Sequence, residues 1–139
     1  MPKTTTGRCL CGALAYEFDG EPLWQSYCHC ESCRRQTSSP VATFIGLDVK
    51  RFRYARGTPA TVASSPGVTR SFCGHCGSPL SFEGVKWPGE IHIYTGTLTD
   101  PAAFAPKEHV HVSEKLPWFE VADQLPRHQH GGPSLPSER

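Results

Sequence analysis

The chain has 139 residues and a formal charge of +1, so it can build one domain with its own core but lacks the basic footprint of a nucleic-acid binder. Only 37% is hydrophobic and no apolar run could span a bilayer, while 13 glycines and 13 prolines suit a loop-rich β protein better than a helical bundle. Seven cysteines, an odd number, argue against a full set of intrachain disulfides.

Met1 to Thr6 lead into Gly7-Arg8-Cys9 without the apolar stretch of a signal peptide. The expected location is therefore the cytoplasm, where thiols stay reduced and clustered cysteines favour metal over disulfide. After Gly7-x-Cys9-x-Cys11-Gly12, residues 13–18 read as a strand and Asp19-Gly20-Glu21-Pro22 as a turn. Residues 23–27 run extended into Cys28-His29-Cys30-Glu31-Ser32-Cys33-Arg34-Arg35, and residues 31–36 suit one helical turn that splays Cys30 and Cys33 around a metal. Residues 41–45 and 49–54 are strand candidates; Arg56-Gly57-Thr58-Pro59 and Ser64-Ser65-Pro66-Gly67 are turns. Residues 68–72 feed into Cys73-Gly74-His75-Cys76-Gly77. Residues 90–94 and 109–112 alternate as strands do, and Asp100-Pro101 predicts a short helix between them. The whole reads as mostly β, with few short helical turns. Residues 1–126 are expected to form a single zinc-binding domain. From Gln124 the composition changes, and a loosely held tail rich in Pro, His, Gly and Ser is expected, with 127–139 outside the domain.

The chemistry lies in the cysteines. Cys28, Cys30 and Cys33 place three thiols within six residues. A thiolate binds zinc at about 2.3 Å, and three ligands from one loop cap a face of a tetrahedron and leave its fourth corner open. Cys9 and Cys11 together with Cys73 and Cys76 make a complete four-thiolate set. Dividing the seven as four plus three predicts two zinc ions per chain, one closed and structural, one open to an external ligand. Filling both sites would bring the formal charge to about −2. A permutation in which Cys9 and Cys11 join the central cluster also satisfies the spacing, but it leaves Cys73 and Cys76 short of ligands.

Gly74 and Gly77 let the backbone curl and turn its N–H groups toward sulfur. A redox reading of the C-x-x-C pair would need a βαβ setting, which the pattern lacks. Arg34 and Arg35 follow the open site and read either as binders of a substrate carboxylate or as a solvated surface pair. His29 should point away from the metal and His75 into solvent. His92, His109 and His111 are expected at the surface or rim, and Trp24, Trp87 and Trp118 in the core or at its rim.

The order and spacing of these motifs, with Gly96-Thr97-Leu98-x-x-Pro101, Lys115-Leu116-Pro117-Trp118 and Asp123-Gln124-Leu125-Pro126, resemble the glutathione-dependent formaldehyde-activating enzyme family, which includes centromere protein V. The resemblance runs from Gly7 to about Pro126. It implies antiparallel sheets around a zinc-ribbon-like core, a structural zinc on Cys9, Cys11, Cys73 and Cys76, and a catalytic zinc on Cys28, Cys30 and Cys33. It also implies a carbon–sulfur lyase that joins a small-molecule thiol and an aldehyde, such as glutathione and formaldehyde giving S-hydroxymethylglutathione. Related members are assigned other thiol adducts. Where the family often has a Ser-Gly-Ala/Ser turn after the arginines, this chain has Thr37-Ser38-Ser39, a change expected to reshape the pocket wall. The reading is thus a zinc-dependent lyase with neither a nucleic-acid nor a membrane partner. A non-enzymatic, zinc-stabilised binding module and a redox or metal-buffering protein are the alternatives. An open zinc at which thiols compete favours the enzyme, and a second closed site favours the module.

Overall fold

A computed structural model describes residues 3–131. The chain first forms the strands β1 (Thr4–Arg8), β2 (Ala15–Asp19), β3 (Trp24–Cys28), β4 (Ala42–Asp48) and β5 (Phe52–Arg56), with clean period-two burial in β2 and β3. The strands β6 (Ala60–Ser65), β7 (Val68–Phe72), β8 (Pro79–Gly84), β9 (Glu90–Tyr94) and β10 (His109–Val110) follow. A short helix, α1 (Glu31–Thr37), leaves the end of β3. One sheet has three strands in the order β1-β2-β5, and the other has seven in the order β10-β3-β4-β9-β8-β7-β6. Pairing is antiparallel throughout except between β10 and β3.

The main core lies between the sheets. Tyr16 and Phe18 of β2 meet Ile45 and Leu47 of β4, Leu80 of β8, and Ile91 and Ile93 of β9. Because alternation sends neighbouring residues to opposite faces, the other face of the large sheet carries a second set. Register places Trp24, Gly46, His92, Phe82 and Arg70 side by side across five strands. Gly46 is required there, since a Cβ would overlap the Trp24 indole that lies across it. This face forms the floor of the functional cleft.

Several sequence expectations change. Residues 49–54 do not form one strand: the Asp48 carboxylate accepts from Lys50 N at 2.9 Å and curls Val49–Arg51 into a 3₁₀ turn before β5. β1 and β6, both rich in small or polar residues, gave no alternating signal. Residues 109–112 pair only as far as Val110, because His111 is left-handed at φ 56°. Asp100 precedes a 3₁₀ turn, Pro101–Phe104, but its side chain does not cap it. The segment from Gln124 is held more firmly than its composition suggested. His109 N donates to Pro126 O, His128 N to His109 O, and Val112 N to His128 O, each at 2.9–3.0 Å. A polar segment needs no core of its own when a neighbouring strand edge supplies its backbone partners. The rest of the expected tail, from residue 132, lies outside the described residues. Among the described residues no helix is long and apolar enough to cross a membrane.

Candidate metal centres and the adjoining cleft

The four-cysteine set is assembled from two distant turns. Cys9 and Cys11 lie between β1 and β2, and Cys73 and Cys76 between β7 and β8. Their sulfurs all lie within 4.8 Å of one another, with Cys9–Cys11 at 3.7 Å and Cys11–Cys73 at 3.8 Å. Four sulfurs about 2.3 Å from a zinc stand about 3.8 Å apart, so the arrangement fits that ion. Backbone N–H groups point at the sulfurs as the glycine spacing predicts: Leu14 N donates to Cys9 Sγ at 3.3 Å, and His75 N and Cys76 N donate to Cys73 Sγ at 3.3 and 3.4 Å. The Ser78 hydroxyl accepts from Leu10 N and lies 3.1 Å from Cys76 Sγ, tying one turn to the other. That hydroxyl and nearby backbone donors hold the Cys76 thiol down at about 5.

The three-cysteine set comes from a single corner. Cys28 ends β3, Cys30 is the N-cap residue of α1, and Cys33 sits in its first turn. Cys33 N donates to Cys30 Sγ at 3.4 Å, and Cys28 Sγ donates to the same sulfur at 3.4 Å. Hydrogen bonds from Cys28 and Cys33 pull the Cys30 thiol down to about 2, while the bond to Cys30 pushes Cys28 well up. Three thiols this close together favour a divalent cation, which would offset the charge of their thiolates. These three sulfurs also lie within 4.8 Å of one another, and among the described residues no fourth donor side chain joins them. Both sets could hold zinc.

Beside Cys33 lies a residue that sequence reading passed over. Arg70 on β7 is only 3% exposed. Both its terminal nitrogens lie 3.9 Å from Cys33 Sγ, Nη1 donates to Tyr94 Oη at 2.7 Å, and Nε donates to Ser64 Oγ at 3.1 Å. A buried guanidinium needs compensating charge, and a thiolate cluster supplies it. Three thiolates with one divalent ion would carry a net charge of −1, which this cation would balance. Nothing in the pattern Val68-Thr69-Arg70-Ser71-Phe72 announces this role, because only the register of β7 against β8 and β9 turns Arg70 toward the cysteines.

Arg34 and Arg35 do not line the cleft. Arg34 Nε donates to His29 O and Nη2 to Glu114 O, both at 3.3 Å, while Arg35 pairs with Glu31 at 2.7 Å in solvent. The Thr37-Ser38-Ser39 turn likewise stands away from it: Thr37 and Ser39 line a separate shallow depression with Tyr94 and Thr97. Ser38 takes the left-handed conformation, φ 54°, that a glycine would adopt freely, and its N–H caps Arg34 O.

The histidines also depart from expectation. His29 turns away from the cysteines, as expected, and is buried; of the three expected at the surface or rim, His92 and His109 are buried, while His111 is half-buried on the cleft wall. His29 Nε2 lies 2.9 Å from His109 Nδ1, and His109 Nε2 lies 2.9 Å from Asp123 Oδ2. Burial, then the neighbouring His109, holds His29 down at about 4. His92 is lowered by burial and pairs with Glu90 at 3.0 Å. In a sheet covered on both faces, polar alternation does not identify a solvent side. His75 is exposed, as expected. Trp24 is buried, Trp87 half-buried, and Trp118 72% exposed.

The three cysteines open onto a cleft of about 340 Å³. Its walls include Trp24, Phe44, Phe82, Trp87 and His92 from the large sheet and its loops, with His111 and Glu114 among the residues on the remaining side. Glu114 Oε1 accepts from Glu31 N at 2.9 Å, which pins that side to the start of α1. A cleft of this size, mostly apolar and with a few convergent polar groups, has the character of a small-molecule site.

The comparisons agree with this architecture. A Rhodobacter sphaeroides protein of known crystal structure superposes with a TM-score of 0.58 at 24% identity, over 68% of this chain and 87% of its own, which establishes similarity of fold. An uncharacterized lyase of Schizosaccharomyces pombe is 37% identical over 76 residues, 55% of this chain and 55% of that protein, so the chain matches about half of that relative's length. The family model described as glutathione-dependent formaldehyde-activating enzyme matches residues 4–114, which takes in all seven cysteines and both walls of the cleft, and the chain belongs to that family.

Proposed function

We propose that the protein is a zinc-dependent carbon–sulfur lyase acting on an adduct of a thiol and an aldehyde, the reaction class in which glutathione and formaldehyde give S-hydroxymethylglutathione. The observation that carries this reading is a three-thiol set, without a fourth protein donor among the described residues, opening onto a small-molecule cleft. Family membership and the lyase name of the fission-yeast relative support it. A zinc ion on Cys28, Cys30 and Cys33 would hold a substrate thiol as thiolate at neutral pH and act as a Lewis acid toward the aldehyde oxygen. In the cleavage direction, the adduct's hydroxyl loses its proton, its oxygen forms the carbonyl, and the carbon–sulfur electron pair goes to sulfur. Synthesis is the reverse.

The chain's own groups have separate tasks. Cys28 and Cys33 are buried, so their sulfurs face the metal position rather than bulk water. Arg70, on the cleft lining beside Cys33, offsets the charge of the thiolates. His111, on the cleft wall beside the cysteine corner, is the group placed to take up the hydroxyl proton. Cys9, Cys11, Cys73 and Cys76 hold the structural zinc. Arg34 orders the loop through the His29 and Glu114 carbonyls, and Arg35 pairs with Glu31 away from the cleft. The test is direct: zinc-loaded protein should accelerate adduct formation between a thiol and formaldehyde, followed by NMR, and Cys33→Ser should return it to the uncatalysed rate. Equal rates with and without parent protein would contradict the reading.

A further inference from the structure

We infer that the cleft selects an adduct bearing an uncharged aromatic or bulky apolar group, and disfavours a zwitterionic peptide thiol. This inference rests on the proposed lyase reading of the three-cysteine site and specifies its substrate. The floor is an aromatic cluster. The His92 ring stacks on Phe82 at 5.4 Å and 15°, and Trp24 and Trp87 meet it edge-on at 4.6 and 5.5 Å. Phe44 approaches the same ring at 6.3 Å. His92 is only 5% exposed and Glu90, outside the cleft, takes its Nε2, so the half-buried rings of Phe82 and Trp87 present the apolar surface to the cleft. Aromatic rings packed edge-to-face in this way receive another ring in the same geometry.

The charges point the same way. A tripeptide thiol such as glutathione carries two carboxylates and an ammonium, each of which loses water on entering a cleft and needs a partner there. The permanently charged cations lining this cleft are Arg70 and Lys86, with the imidazole of His111 assigned above to proton uptake. Arg70 has Tyr94 Oη, Ser64 Oγ and Cys33 Sγ on its donors, which leaves no two-pronged face for a carboxylate. Lys86 is exposed at the rim, where a charge contact is screened. Arg34 and Arg35 are engaged elsewhere. One lysine at the mouth does not balance two carboxylates, whereas the rings beneath it accommodate a phenyl-sized group.

Calorimetry on the zinc-loaded full chain with benzyl mercaptan, 2-mercaptoethanol and glutathione tests this. The three share a thiol and differ in what it carries. Benzyl mercaptan should bind about tenfold or more tighter than 2-mercaptoethanol, as burial of a phenyl group provides, and tighter than glutathione. Trp87→Ala should remove most of that advantage while 2-mercaptoethanol binds as before. Should that variant misfold, Val85→Asp, at an exposed position on the same wall, should weaken benzyl mercaptan selectively. Glutathione binding tightest, or benzyl mercaptan binding no better than 2-mercaptoethanol, would overturn the inference and leave the lyase reading standing. Failure of all three thiols to bind would overturn both.

Discussion

The two cysteine sets use the same ligand for opposite ends. The four-cysteine set bridges turns more than sixty residues apart and joins the small sheet to the large one, with Leu10 and Ser78 hydrogen-bonded across the seam. The three-cysteine set joins nothing distant. It occupies one corner, Cys28 to Cys33, and its surroundings are a buried cation on one side and a cleft on the other. A metal that closes a long loop contributes to folding outright, whereas a metal on a preformed local corner can come and go while the sheets persist. The difference lies in which chain segments the sulfurs connect, not in the sulfurs themselves.

Substituting one cysteine of each set breaks the comparison most forcefully. Structural zinc contributes on the order of 10 kcal/mol or more to folding, so Cys73→Ser should give insoluble or unfolded protein. Cys30→Ser should stay folded by circular dichroism and lose one metal. Equal instability of the two variants would remove the distinction. Next in size is Arg70→Met, which takes away the buried counter-charge. Stranding charge in this way costs about 3–5 kcal/mol, so the melting temperature should fall, and the more labile zinc should pass to a chromophoric chelator about tenfold faster or more. Unchanged transfer would mean that Arg70 only fills space. The smallest effect belongs to Ser38→Gly: relieving a left-handed serine at the end of α1 gains about 1–2 kcal/mol, the freer unfolded chain takes back about 0.4–1, and denaturant melts should show a net stabilisation of about 1 kcal/mol or less. Destabilisation there would show that the serine side chain outweighs the backbone strain.

Much of this was legible in the sequence because it is local. C-x-C and C-x-x-C spacings encode which sulfurs can share a metal, and the glycines of the second knuckle encode the N–H groups that meet them. The turn at Ser64-Ser65-Pro66-Gly67 and the helical turn after Cys30 follow from residue chemistry in the same way. What spacing does not carry is register. Arg70 meets Cys33, and Trp24 meets His92, only through pairings between strands distant in sequence. His109 and Asp123 joined to His29 escape notice for the same reason. The Arg34-Arg35 pair drew attention by adjacency to the cysteines, yet a helix turns successive side chains apart, and these two point to the Glu114 loop and to solvent.

The most direct test is metal release monitored together with fold. Protein purified without chelator should contain two zinc ions per chain by elemental analysis. Mild chelation should remove one of them while the circular dichroism spectrum stays unchanged, and a thiol should slow that removal by occupying the open position. The second ion should leave only as the spectrum collapses. Loss of both ions together with the fold, or protein without metal that keeps the same spectrum, would contradict the division into a closed and an open site.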